Sequence, residues 1–185
     1  MKGKVLFIDY VYQKGHVNFN RIHIDAIRSA GYDVKIVLHS DIASQLDYPT
    51  SDYVAKLPRF LNMRGKRAVL NRIIFTVTLL YLKFKIRFSD YSHVVVSSCD
   101  EVTLGLLPLC RNMYIVCHNT GTVASRVKLF FLKRLARRNT FVVFDDYMKK
   151  PLLENGITNV AMVSHGCVSP FDESHADTNL PKYFS

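Results

Sequence analysis

The sequence predicts an α/β fold, a Rossmann-like doubly wound parallel sheet of about seven strands in a single domain. Three observations predict it. Short apolar runs rich in β-branched residues alternate with helical patterns along the chain. Those runs lack the in–out alternation of a strand wetted on one side, so both faces are covered, as in a parallel sheet between helices. A length of 185 residues with 49% hydrophobic content suffices for one sizeable core and excludes wholesale disorder.

The elements follow in order. "KVLFID" (4–9) is a buried-strand run, and a helix from about Asn18 to Ala30 ends at Gly31, a glycine suited to a left-handed C-cap. "DVKIVL" (33–38) is the second strand, and "DYVAKL" (52–57) a weaker third closed by Pro58. A long helix is expected over 65–88, then the strand "SHVVVSS" (92–98) and a short helix around 101–107. "NMYIVCH" (112–118), a helix near 125–138, "TFVVFD" (140–145), a helix near 147–155 and "NVAMVS" (159–164) complete the series. Residues 1–171 are read as the domain, and 172–185, which have no periodicity, as a linker or disordered tail. In such sheets ligands bind beyond the carboxyl ends of the strands, so the loops that matter are 10–17, 98–101, 118–124, 145–147 and 164–170.

A net charge of +10 points to an anionic partner: a membrane surface, nucleic acid or a phosphorylated ligand. Cys99, Cys110, Cys117 and Cys167 form no Cys-x-x-Cys pair and read as reduced structural thiols, which suits a cytoplasmic protein. Met1 runs into "KGKVLFID" without a signal-peptide layout. The uncharged run Ile73–Leu82 falls far short of the ~20 residues a membrane span needs. The first crossover lacks Gly-x-Gly-x-x-Gly, the dinucleotide fingerprint, which argues against an NAD enzyme.

Three stretches carry a resemblance. "GHVNFNRIHIDAIRSAGYDVKIV" is similar to the first crossover of GT-B glycosyltransferases, a Gly-His turn, a helix and Gly-x-x-Val before strand two. "YIVCHNTG" is similar to their strand-five end, where a histidine faces the cleft. "FVVFDDYMKKPLLENGITNVAMVSHGCVSPF" resembles the last strands of their N-terminal domain, ahead of the donor-binding domain. The resemblance spans 4–171, closest to the family 4 group, and implies the acceptor-side half of a GT-B architecture. It implies that "SHGCVSPF" leads to a C-terminal donor domain or a partner subunit that the chain lacks, and that the chain alone is inactive. It implies transfer of a sugar from a nucleotide sugar, as co-substrate, to a glycan or lipid-linked acceptor in polysaccharide biosynthesis, with no cofactor in this domain.

Residue by residue, His16 after strand one resembles the general base of the inverting enzymes, and an imidazole of pKa about 6.5 suits that work at neutral pH. Asp100 (with Glu101 as substitute) is expected to orient it. Phe19 departs from the proline usual there. Lys14 and Gly15 are expected at the substrate beside His16. His118, with Asn119 and Thr120, resembles the family 4 contact to the donor sugar or its phosphate. Either histidine is equally readable as a loop or strand-end residue without chemistry. Asp145 and Asp146 lack a third metal ligand at suitable spacing; no metal is expected, and one of the two is read as the N-cap of the following helix. His165 and Gly166 read as a hinge. The His16–Asp100 pairing leans to inversion and the "SHG" exit to retention, and the sequence leaves the two open.

The helix 126–138 sorts into two arcs. Arg126, Lys133 and Arg137 align, with Arg134 and Arg138 beside them and Phe130 among the cations; Leu129, Leu132, Leu135 and Ala136 oppose them. Between Asp52 and Asp90 there are nine cations and no acid. Basic, aromatic-studded faces suit an anionic membrane interface, so peripheral attachment through Arg126, Phe130, Lys133, Arg134 and Arg137 is expected; a solvated charged face is the plainer alternative. Nucleic acid is not expected, since no recognised module accompanies the charge. Two other readings stay open: a non-catalytic membrane-recruiting subunit of a split glycosyltransferase, and a free-standing Rossmann-like protein that binds a phosphorylated ligand.

Overall fold

A computed structural model describes residues 2–11, 15–59, 86–98, 113–118 and 126–163, with the single positions 70, 73, 77, 80, 84 and 123. Seven strands form one all-parallel sheet: β1 (Lys4–Asp9), β2 (Asp33–His39), β3 (Tyr53–Leu57), β4 (His93–Val96), β5 (Met113–Val116), β6 (Thr140–Val143) and β7 (Val160–Met162). Their order is β3-β2-β1-β4-β5-β6-β7, the predicted doubly wound layer. Each strand lies within a residue or two of its expected run.

The order explains where the helices go. From β1 the chain first builds outward through β2 and β3, then returns to β4 on the other side and continues the opposite way. A right-handed crossover places its helix on one face when the sheet grows one way and on the other face when it grows back. Accordingly α1 (Gly15–Ser29) and α2 (Ser40–Ala43) cover Val5, Phe7, Val34, Ile36 and Leu38 through Ile24, Ile27 and Ile42. On the opposite face, α3 (Arg126–Ala136) and α4 (Asp146–Glu154) cover Leu6, Ile8, Val94, Ile115, Phe141 and Val143 through Leu132, Leu135, Met148 and Leu152.

Two helix ends are closed alike. At the end of α1, Gly31 has φ +92°, its N–H donates to the Arg28 carbonyl, and Tyr32 N–H reaches the Ile27 carbonyl. At the end of α4, Gly156 has φ +77°, with Leu153 and Leu152 accepting from Gly156 and Ile157. The reciprocal pair of bonds satisfies the last carbonyls and turns the chain into the next strand, and only glycine takes that φ without strain. The start of α4 is capped as expected, Asp145 Oδ1 accepting from Tyr147 N–H at 3.2 Å.

Two expectations shift. The first helix begins at Gly15, not near Asn18, so Gly15 and His16 belong to its first turn and not to the loop. The short helix α2 was not anticipated. His39 caps it: its Nδ1 accepts from Asp41 N–H at 3.2 Å. The expected helix over 101–107, most of that over 65–88, and the tail lie outside the described residues. Positions 70, 73, 77, 80 and 84 within the longer one are helical.

Candidate functional site

The sheet reverses direction between β1 and β4, and the carboxyl ends of these two strands frame the crevice where open α/β sheets bind ligands. Asp9 ends β1 and is fully buried. Its Oδ1 accepts from Val11 N–H at 2.9 Å, and its Oδ2 from Asn20 Nδ2 at 2.7 Å and from His16 Nδ1 at 3.0 Å. Three N–H groups thus converge on one carboxylate, which compensates its removal from water. Because Nδ1 carries the proton donated to Asp9, Nε2 is left as the basic nitrogen of the neutral ring. The His16 side chain keeps 18% exposure.

The same helix explains why the site assembles. His16, Asn20, His23 and Ile27 recur at helical spacing on the face of α1 turned to the sheet. Toward the C-terminus that face is apolar, with Ile24 and Ile27 fully or almost fully buried. Toward the N-terminus it is polar, because there it meets the strand end where Asp9 waits. His23 is buried and donates from Nδ1 to the Phe19 carbonyl at 2.8 Å.

Across the switch point, Tyr10 Oη donates to Ser98 Oγ at 3.3 Å, and Ser97 N–H continues the ladder to the Ile8 carbonyl. His118, two residues beyond β5, donates from Nε2 to the Ser97 carbonyl. That bond brings its ring to 5.2 Å from His16, centroid to centroid. Phe19 packs edge-on against His118 at 4.8 Å and against Phe144, at the end of β6, at 5.9 Å. Phe19 is therefore an aromatic floor joining the ends of β5 and β6 to α1. Ser97 Oγ and Asn20 Oδ1 are buried at this junction without a hydrogen-bond partner among the described residues. Each retains capacity for one more bond in a place where unmet polar groups cost about 1–3 kcal/mol.

His39 closes β2 on the other side of β1. Burial pulls its pKa below the ordinary value, outweighing the upward pull of Asp41, the Arg59 backbone and Asp9. Its neutral form is also what the α2 cap requires, since Nδ1 must accept there.

Of the expected site residues, the structure brings together Gly15, His16 and His118. Among the described residues the carboxylate beside His16 is Asp9, which the sequence reading did not nominate. Lys14, Asp100, Glu101, Asn119, Thr120, His165 and Gly166 lie outside the described residues. On α3, Arg126, Lys133 and Arg134 are exposed and so is Phe130, with Arg137 exposed in the turn just beyond, while Leu132 and Leu135 are buried, the two arcs the sequence implied. Among the described residues no three His, Cys, Asp or Glu side chains are grouped to hold a metal ion. Among them, too, no helix is long and apolar enough to cross a membrane.

The sequence reading missed Asp9, Asn20 and Phe144. Asp9 was legible as a lone acid closing an apolar strand. Asn20 was legible as an amide on the core side of a helix that is otherwise apolar below it.

The chain matches no protein-family model, no curated protein and no solved structure.

Proposed function

We propose that the chain is the acceptor-side half of a GT-B glycosyltransferase, with His16 as general base and Asp9 as the residue that positions it. The observation that carries the proposal is the His16–Asp9 pair at the sheet's switch point, 3.0 Å between Nδ1 and Oδ2. The acceptor hydroxyl gives its proton to His16 Nε2 while its oxygen attacks the anomeric carbon of a nucleotide sugar. The bond from that carbon to the diphosphate breaks, and the diphosphate leaves with the electron pair. Asp9 keeps the proton on Nδ1 before the step and stabilises the imidazolium formed in it. A base on the acceptor side belongs to single displacement, so the proposal includes inversion at the anomeric carbon. Gly15, whose Cα has no described atom within 4 Å of where a Cβ would stand, would let the acceptor approach the first turn of α1 closely. His118 would face the donor.

In this reading the leaving diphosphate is stabilised from a second, donor-binding domain or subunit across the crevice. The acceptor is a glycan or lipid-linked sugar, and the basic face of α3 would hold the chain peripherally at an anionic membrane.

Imidazole resonances of His16 and His118 test the proposal. A panel of short glycans should shift both, with no transfer from nucleotide sugars by the chain alone. Shifts produced only by phosphorylated nucleotides, or sugar transfer without a second domain, would overturn the assignment.

A further inference from the structure

Ten large apolar residues are exposed among the described residues, and five of them are Leu70, Ile73, Val77, Leu80 and Phe84. Single exposed apolar residues are ordinary; these five are not scattered. All are in helical conformation, and at 100° per residue their 3-4-3-4 spacing confines them to an arc of about 80°. Their exposure runs from 37% at Leu80 to 84% at Phe84. A helix that packs on its own domain buries such a stripe. This one presents it.

We propose that this stripe inserts into the interfacial region of an anionic lipid membrane. Charge selects the occupant. The chain from Tyr53 to Ser89 contains Lys56, Arg59, Arg64, Lys66, Arg67, Arg72, Lys83, Lys85 and Arg87 and no acid. A second copy laid on the stripe, parallel or antiparallel, would set this segment against its own like charges. Anionic headgroups instead attract it, each cation near the surface contributing about 1 kcal/mol, while the apolar side chains enter the acyl boundary. The proposal is independent of the sugar-transfer reading. It also differs from attachment by the basic face of α3, where among the described residues Phe130 is the one exposed large apolar side chain.

The chain contains no tryptophan, so one placed on the stripe reports without background. Phe84→Trp is the probe, and Tyr147→Trp, exposed on α4, is the control. With vesicles of mixed zwitterionic and anionic lipid, the Phe84→Trp emission shifts blue and is quenched by lipids brominated along the acyl chain; the control does neither. The double substitution Val77→Ser, Phe84→Ser, at exposed positions that leave the core untouched, lowers vesicle partitioning by roughly tenfold or more. Unchanged Phe84→Trp emission on vesicle-bound protein would overturn the proposal in favour of attachment by α3. Absence of binding to anionic vesicles would overturn it outright. A blue shift that follows protein concentration without lipid would overturn it in favour of self-association.

Discussion

Replacing Asp9 by asparagine separates positioning from stability. The amide keeps the size of the carboxyl group and can still accept from Val11 N–H at Oδ1. Where Oδ2 accepted from Asn20 and His16, the variant presents an NH2. Asn20 answers by rotating its amide, so that its otherwise unpartnered Oδ1 accepts one proton. His16 answers by changing tautomer, so that Nδ1 accepts the other. Every bond is remade, but all three lose their charge assistance, and the expected loss of stability is about 1–3 kcal/mol. The chemistry changes more. The proton of His16 now sits on Nε2, so the nitrogen that the proposed mechanism uses is no longer basic, a change that costs about two to four powers of ten in rate in carboxylate–histidine sites. Asp9→Ala contrasts with this, leaving the buried Asn20 amide and two half-buried donors unmet, for about 2–5 kcal/mol. Urea denaturation followed by circular dichroism measures both losses, and long-range 1H–15N correlation of the imidazole reads the tautomer without any substrate. A His16 ring that stays protonated on Nδ1 in the Asp9→Asn variant refutes the positioning argument. An Asp9→Ala loss below that of Asp9→Asn refutes the structural part.

Three further outcomes follow from other parts of the fold. Asn139→Ala removes the acceptor of Met113 N–H and the donor to the Leu135 carbonyl, both at 3.0 Å, and should lower stability by about 2–4 kcal/mol in denaturant titration. Gly15→Ala adds a Cβ that meets no described atom within 4 Å in a helical first turn, so stability should rise by about 0.4–1 kcal/mol, and under the proposed function glycan binding should weaken. His39 and His93 both have pKa values lowered by burial in the folded state. Between the lowered values and the ordinary 6.5 the unfolded chain holds more protons, so stability is complete above that pH and declines as pH falls through it. The slope is at most about 1.4 kcal/mol per pH unit for each histidine. The melting temperature should drop between pH 7.5 and 5.5 (about one unit either side of a free imidazole), and His39→Asn, which keeps a side-chain acceptor for Asp41 N–H but cannot titrate, should flatten the drop.

The layer and strand positions were legible because a strand buried on both faces writes itself as an unbroken apolar run, and "KVLFID" or "TFVVFD" admit few other readings. Gly31 and Gly156 were legible as helix stops because the left-handed cap selects one residue type. The site was half legible. His16 and His118 were found through their places after strands, but their mutual approach depends on a long-range bond from His118 to Ser97, and sequence spacing says nothing of that. Asp9 was overlooked because a search for an orienting acid looked to the neighbouring strand, whereas Asp9 lay in plain view as the last letter of a strand already identified. The start of α1 was misplaced for the same reason: once Asp9 draws in His16 and Asn20, the first helical turn is fixed three residues earlier than propensity alone suggests.

Asp9 stands seven residues from His16 and eleven from Asn20, so the whole arrangement is written into one strand and the helix that follows it. Such a cluster is modular in heredity: the distant segments that complete the sheet can drift, lengthen or be exchanged, and the hydrogen-bonded trio travels intact with a single contiguous stretch of gene.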